Sequence, residues 1–481
     1  MSGAAPHPFS LRDWITLCTE RGEIRTISGA HWDLEIGALT EMVHARRNAP
    51  ALMFNTIPGY PENYQVLTNS LGSINRVALA TGLPWGLEQR DFMEQWRMKL
   101  RQLSPVDPRF IETPGWEVSL LGEAIDLFSF PSPKWHEEDG GRYLGTAAVT
   151  ITRDPETRSC NVGCYRVMVK DRTHLALFIA GGKGGFIHRE KFFARGEPCP
   201  VAISFGHHPL VFLVGTLLPP EGLSEYSYAG AIMGAPLPVV RGPLTGLPIP
   251  ADTELCIEGE FIPGEKGSEG PFGEWTGYYA SWAREEPLAR VKAVYHKKDP
   301  IILGSPPSRP PSETTWARNL LRSVELEDQL AAMGIPDIQS AWFHPAGGSR
   351  FLLIVSIKQR YPGHSRQTGI AASQCSIGAF MGRIVVVVDE DIDVTDLNEV
   401  MWAVCTRCDP VNGIQILRES WSSVMDPVLP PGSAERNSRI VIDACRPYEW
   451  REKFPKVSSA PRALREEMQR KWRHLLGDLF I

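Results

Sequence analysis

The chain has 481 residues, which at roughly 100–200 residues per domain predicts two or three domains. With 22 % charged residues and a net charge of −6 it offers no long-range attraction to nucleic acid or to an anionic membrane, so neither is an expected partner. Its longest apolar runs, residues 351–357 and 384–388, fall far short of the ~20 residues a bilayer-crossing helix needs and read as buried strands. Residues 1–12 lack a basic start followed by an apolar core, so export is not expected. Nine cysteines spread from Cys18 to Cys445 fit a reducing cytoplasm better than a secreted disulfide framework. Cys405 and Cys408 form a CxxC, but with no second pair and no nearby histidine it is a weak zinc or redox signal.

Along the chain, Ser10 can cap a helix with Asp13 in its first turn and Leu11, Trp14, Ile15 and Cys18 at helical spacing before Gly22. Asp33 predicts a second helix in the same way. Its apolar face runs through Ile36, Leu39, Met42 and Val43, and Pro50 ends it ahead of a strand over residues 51–54. A third helix sets Phe92, Trp96 and Leu100 on one stripe, giving a small α/β domain over residues 1–112. Short strands separated by Gly and Pro follow at 146–152, 201–205, 255–261 and 288–294, predicting a mainly β barrel or sandwich over residues 113–305.

The run Ser305-Pro-Pro-Ser-Arg-Pro-Pro-Ser312 reads as a proline-rich linker and a domain boundary. Beyond it, a helix over 313–333, a strand over 351–358, a helix through 371–380 and a strand over 383–388 predict a C-terminal α/β domain, residues 306–460. Residues 461–481 place Leu464, Met468, Trp472, Leu475 and Leu479 at spacings of three and four. This amphipathic terminal helix either docks on another subunit or packs on its own domain. The fold class expected is therefore α+β and multidomain.

Four segments could carry chemistry. In Glu269-Gly-Pro-Phe-Gly-Glu274-Trp-Thr-Gly-Tyr-Tyr279 two carboxylates five positions apart sit among glycines and aromatics. The glycines and proline forbid a regular helix, and aromatic neighbours can desolvate a carboxyl so that it delivers a proton near neutral pH. A surface turn with two solvated glutamates is the competing reading. In Asn161-Val-Gly-Cys-Tyr-Arg166 the arginine fork suits a carboxylate, or an ordinary surface ion pair. Ala180-Gly-Gly-Lys-Gly-Gly-Phe-Ile-His188 resembles a phosphate-cradling loop without P-loop spacing, and its histidine is a structural residue or a metal ligand. Glu225 lies at a probable helix start, where a glutamate also simply complements the helix dipole.

Taken in order, Asn161 to Arg166, His188, Glu225 and the Glu269-to-Glu274 segment resemble the signature of the UbiD family of reversible decarboxylases. The similarity extends to Ile357-Lys-Gln-Arg-Tyr-Pro-Gly-His364 and Ile384-Val-Val-Val-Val-Asp-Glu-Asp-Ile-Asp393, so it covers nearly the whole chain. The resemblance implies an N-terminal α/β domain, a central split β-barrel that binds prenylated FMN, and a C-terminal α/β oligomerisation domain ending in the amphipathic helix. It implies that Asn161, His188 and Glu225 ligate manganese or magnesium bridging to the cofactor phosphate, and that potassium sits on Glu225 and the carbonyls of Val214, Gly215 and Leu217. Val162, Gly163, Cys164, Tyr165, Arg166 and Ile187 would line the cofactor. Arg383, where relatives typically carry lysine, would meet the phosphate.

The implied reaction is loss of carbon dioxide from an aromatic, heteroaromatic or other α,β-unsaturated carboxylic acid through a covalent adduct with the cofactor. Arg166 would hold the substrate carboxylate or orient Glu269, Glu274 would donate the proton, and Trp275 would wall the pocket. A UbiX-type flavin prenyltransferase would supply the cofactor, and the chain would form a homodimer or homohexamer. The rival class is a reductase-like flavin protein on a split barrel, using unmodified FMN.

Overall fold

The computed structural model describes residues 10–477 apart from Leu218, Pro220, Glu221, Ser281 and Pro431. Ser10 accepts a hydrogen bond from the Asp13 N–H at 3.1 Å and starts the helix Leu11–Glu20, whose Leu11, Trp14 and Cys18 are fully buried. The second helix, Glu35–His44, departs from the expected pattern. Asp33 bridges to Lys134 instead of capping it, and Met42 faces solvent, 71 % exposed. The buried stripe is Ile36, Thr40 and His44, a face that hydropathy misses because its polar members are paired: Thr40 with Thr68 at 3.0 Å and His44 with Ser308 at 2.6 Å. The helix expected around Phe92 and Trp96 is Gln89–Gln102, fourth in the chain after Ile74–Ala80, and it buries both as its stripe predicts.

The N-terminal sheet has four strands in the order Ile24–Ser28, Ala51–Asn55, Gln65–Thr68 and Ile301–Gly304. Its last strand, parallel to Gln65–Thr68, arrives from far along the chain. The proline-rich run therefore leaves the N-terminal sheet, and it is not a free linker. Ser305 N–H donates to Thr146 Oγ1 at 2.9 Å, and Ser305, Ser308 and Ser312 are all buried, so their polar groups tie the segment down.

Nine antiparallel strands curl into the central split barrel. The order is Arg142–Gly145, Val167–Val169, His174–Leu177, Arg284–His296, Leu255–Glu269, Cys199–Phe205, Val149–Arg153 and Cys160–Gly163, with Val118–Leu121 also on Arg284–His296. The hairpin Leu255–Glu269 with Arg284–His296 is about twice as long as its hydropathy predicts, because bulges at Glu258/Gly259 and Phe261/Lys266 interrupt the alternation and bend the ladder. This extra length carries Glu269 to the end of the sheet where it meets Arg166.

The C-terminal sheet runs Ile338–Phe343, Leu352–Ile357, Ile384–Asp389, Arg436–Ala444 and Ile414–Trp421. Its Val-rich middle strand is flanked by parallel neighbours, as a continuous apolar run requires. The helix Glu313–Ala332 contributes to the hydrophobic clusters on both sides of it, joining this sheet to the rest. Among the described side chains of the terminal helix Arg462–Leu476 none is buried, and Leu464 and Leu475 are 44 % and 63 % exposed, so packing on its own domain is not observed among them. Leu479 lies outside the described residues. Among the described residues no helix is long and apolar enough to cross a membrane.

Candidate active site

Glu269 ends the long strand Leu255–Glu269, and Gly270, at φ 80°, turns the chain sharply away. Residues 139 and 140 clamp that turn: the Gly140 N–H donates to Pro271 O at 2.8 Å and the Gly273 N–H to Asp139 Oδ1 at 3.0 Å. The approach is close enough that a Cβ on Gly140 would fall 2.0 Å from Gly270 O. The loop thereby returns Glu274 to the side chain that Glu269 already meets.

That side chain is Arg166. Its Nε and Nη2 donate to the two oxygens of Glu269 at 2.7 and 2.8 Å, and its Nη1 donates to Glu274 Oε1. Tyr143 adds a hydroxyl donor to Glu269 Oε1 at 3.1 Å. Phe178 and Phe272 lie over the guanidinium at 4.8 and 5.1 Å. Glu269 is fully buried and Glu274 is 5 % exposed, which excludes the solvated surface turn. Burial pulls the Arg166 pKa down, but Glu274 and Glu269 outweigh it and the net direction is up. Burial, then Glu269, pushes the Tyr143 phenol up, so it stays a neutral donor. The array places an acid, a bidentate carboxylate–guanidinium pair and an aromatic lining at one spot, the parts a carboxylate-handling proton transfer requires.

Asn161 on the strand Cys160–Gly163, His188 on the helix Gly184–Ala194 and Glu225 on the helix Glu225–Met233 lie on elements that pack at the neighbouring strand pair. Asn161 faces Thr152 across the ladder, and Thr152 Oγ1 lies 2.9 Å from His188 Nδ1. Glu225, first residue of the helix Glu225–Met233, has its carboxyl beside the Val162 backbone, next to Asn161. Burial raises the Glu225 carboxyl and lowers the His188 imidazole, the latter keeping a neutral ring with a lone pair to offer. Among the described residues no three His, Cys, Asp or Glu side chains gather as a metal site, so the set depends on the Asn161 amide.

Two oxygens and one imidazole nonetheless suit a hard divalent ion. Gly184 keeps the amide accessible, since a Cβ there would sit 2.2 Å from Asn161 Oδ1. Gly184 also opens the helix Gly184–Ala194, whose N-terminal N–H groups favour an anion such as a phosphate. The residues thus fit a metal-bridged FMN phosphate.

The other expected residues divide. Val162 is buried, Gly163 packs under the Tyr165 ring, and Tyr165 Oη is 3.4 Å from Asn161 Nδ2. Ile187, beside His188, is 43 % exposed. The carbonyls of Val214 and Gly215 already accept the N–H groups of Leu217 and Cys164, both at 3.0 Å, leaving each one further lone pair. Arg383 is committed elsewhere: its Nη2 lies 2.7 and 2.6 Å from the two oxygens of Asp426, which competes with the expected phosphate contact. Trp275 packs on Phe351 of the C-terminal part, ring centres 5.1 Å apart.

Tyr143, Asp139, Thr152 and Phe178 are parts of the site that motif reading does not reveal. Each is 36 or more positions from the group it serves in the sequence, or carries a residue type common in any strand. The one available signal was the Asp139-Gly-Gly141 turn, whose glycines admit the close approach of the Glu269 loop.

Three family models cover most of the chain. The N-terminal, Rift-related and C-terminal domains of 3-octaprenyl-4-hydroxybenzoate carboxy-lyase match residues 15–96, 112–310 and 315–444. The chain belongs to the UbiD family of carboxy-lyases.

It is 31 % identical to the pyrrole-2-carboxylic acid decarboxylase of Pseudomonas aeruginosa over 92 % of each chain. It is 33 % identical to a phenolic acid decarboxylase of a Streptomyces species, over 83 % of this chain and 84 % of that one. Among solved structures, the vanillic acid decarboxylase of Sedimentibacter hydroxybenzoicus in open form matches with TM-score 0.83 and 28 % identity over 97 % of this chain and 99 % of that one. An evolved dimeric form of the UbiD-class enzyme HmfF from Pelotomaculum thermopropionicum, solved with prFMN, matches with TM-score 0.80 and 27 % identity over 95 % and 98 %.

Proposed function

We propose that the chain catalyses the reversible, non-oxidative decarboxylation of an aromatic, heteroaromatic or other α,β-unsaturated carboxylic acid with prenylated FMN. The Glu269–Arg166–Glu274 array carries this reading, because it joins a carboxylate-binding guanidinium to a second, buried acid. Relatives that act on a pyrrole acid and on phenolic acids support the substrate class, and the relative solved with prFMN supports the cofactor. When bound, that cofactor supplies the electron sink that takes up the bonding pair as carbon dioxide leaves.

The protein's own residues position and protonate. Arg166 holds the substrate carboxylate or orients Glu269, and Glu274 delivers a proton to the carbon that has lost its carboxyl group. Asn161, His188 and Glu225 would hold manganese or magnesium, and Glu225 with the carbonyls of Val214, Gly215 and Leu217 would hold potassium, together supplying positive charge for an anionic cofactor. A UbiX-type prenyltransferase supplies the cofactor, and the uncovered apolar face of Arg462–Leu476 serves self-association as a dimer or hexamer.

The test is co-expression with a flavin prenyltransferase, followed by a screen of unsaturated acids for carbon dioxide release and for deuterium incorporation from D2O. Glu274→Gln should bind the flavin but lose both. Undiminished turnover in that variant removes Glu274 from the role, and nicotinamide oxidation by the unmodified-FMN form would favour a reductase instead.

A further inference from the structure

The loop that carries Glu274 is held from behind by a segment anchored in the N-terminal domain. Lys134 exchanges backbone hydrogen bonds with Trp32 and Leu34, both at 3.1 Å. Trp135 is buried and packs against both the helix Glu35–His44 and the strand Ile301–Gly304: a Cβ on Gly37 would fall 2.0 Å from Trp135 O, and one on Gly304 2.5 Å from the indole ring. Residues 134 and 135 are thus fixed to the N-terminal layer, and residues 136–140 continue from them along the Glu269–Glu274 turn.

Besides the bonds of Asp139 and Gly140 to the turn, the Glu138 N–H donates to Tyr279 Oη at 3.0 Å. The His136 imidazole occupies the space where residue 273 would carry a side chain: a Cβ on Gly273 would lie 2.7 Å from His136 Nδ1 and 3.0 Å from its Cε1. Tyr279 meets the same imidazole edge to face, ring centres 6.5 Å apart. Asp139 is locked to the histidine, its N–H donating to His136 O at 3.1 Å and its Oδ2 accepting the His136 N–H at 3.0 Å. His136 Nδ1 is buried, makes no hydrogen bond among the described residues and lies 3.5 Å from Asp139 Oδ2. His44, at the end of its helix, feels the same ring: burial and then His136 pull the His44 imidazole down to about 4. An unmet buried nitrogen is unfavourable, and the ring that carries this one abuts the backbone one residue before Glu274.

We propose that His136 is a positioning residue for the proton transfer: by packing its ring on Gly273 and turning a polar edge to Asp139, it fixes the backbone from which Glu274 presents its carboxyl. This rests on the decarboxylase reading above. Downstream, the Glu274 N–H donates to Tyr278 O at 3.0 Å and the Gly277 N–H to Glu274 O at 2.9 Å, closing a small turn on itself. That turn moves as a unit. Its orientation is set at one end by the grip on Gly273 and at the other by Trp275 on Phe351. A carboxyl misplaced by about 1 Å when it delivers its proton costs on the order of a hundredfold in rate, so the restraint acts on turnover and leaves flavin binding alone.

The test compares the prenylated-FMN holoenzymes of the wild type, His136→Leu and His136→Asn. Asparagine keeps a polar group near the Nδ1 position, and leucine keeps bulk alone. Backbone amide exchange is followed over residues 270–279, and kcat, KM and flavin affinity are measured with pyrrole-2-carboxylate, vanillate and the other unsaturated acids of the screen. His136→Leu should speed exchange over 270–279 about tenfold and leave the C-terminal sheet unchanged. It should lower kcat about ten- to hundredfold while KM and flavin affinity stay within about twofold. His136→Asn should return kcat to within about threefold of the wild type. Unchanged exchange over 270–279 in His136→Leu, an undiminished kcat despite faster exchange, or a loss carried by KM or flavin affinity overturns the proposal. So does an asparagine variant as slow as the leucine one, or exchange that rises throughout the chain in both, which would make His136 a residue of general stability. Faster exchange confined to 270–279, with no carbon dioxide released from any acid by the wild type, would sustain the grip on the loop and defeat the decarboxylase reading.

Discussion

Arg166 and Arg318 are both largely withdrawn from water, yet their surroundings are opposite. Arg166 meets two buried carboxylates and a tyrosine-supported hydrogen-bond network, so its charge is compensated before any ligand arrives. Arg318 meets a backbone carbonyl and other cations. A buried cation that is already paired holds the geometry of its partners, while one left unpaired carries a desolvation cost that no carboxylate offsets. The same residue type is thus compensated in one place and left with an unmet donor in the other.

The largest break in this comparison comes from Glu274, the proposed proton donor. Glu274→Gln, which keeps a hydrogen-bond acceptor for Arg166 but no transferable proton, should lower turnover by roughly a thousandfold or more, checked by single-turnover carbon dioxide release with flavin occupancy measured in parallel.

Next come paired substitutions at the two arginines. Arg166→Met strands two buried carboxylates and should cost about 3–5 kcal/mol of stability, read from denaturant unfolding. Arg318→Met strands none, and should leave stability within about 1 kcal/mol of the wild type or raise it by removing repulsion. Equal losses at both positions would erase the distinction.

Tyr143→Phe removes one donor from Glu269 and should cost about 1 kcal/mol, with a fall in turnover larger than any change in flavin affinity.

The smallest effect is a change of slope with pH. The folded chain holds the Glu325 proton up to about 7, above its unfolded value of roughly 4.3. That contribution to stability is complete below the unfolded value and is lost as pH rises through about 7. Glu325→Gln should flatten the decline of the unfolding midpoint between pH 5 and 8. An unchanged slope would show that Glu325 is not the carboxyl titrating beside Arg322.

Local patterns in the sequence identified much of this protein. The Ser10 cap, the Phe92–Trp96 stripe and the Val-rich run at 384–388 depend on nearest neighbours and spacing, and all appear in the structure as elements. The order of Asn161, Arg166, His188, Glu225, Glu269 and Glu274 was enough to point to the UbiD family.

Tertiary structure alone decided where long-range pairing put the rest. Hydropathy cannot see that Ile301–Gly304 returns to the N-terminal sheet, that bulges extend the hairpin to reach Glu269, or that Thr40 and His44 are core residues with bonded side chains. It equally cannot separate Arg166 from Arg318, because a lone arginine in a sequence carries no record of its counter-charge. Only the folded arrangement, by placing Glu269 and Glu274 against one and, among the described residues, no ion-paired acid against the other, distinguishes the two guanidinium groups.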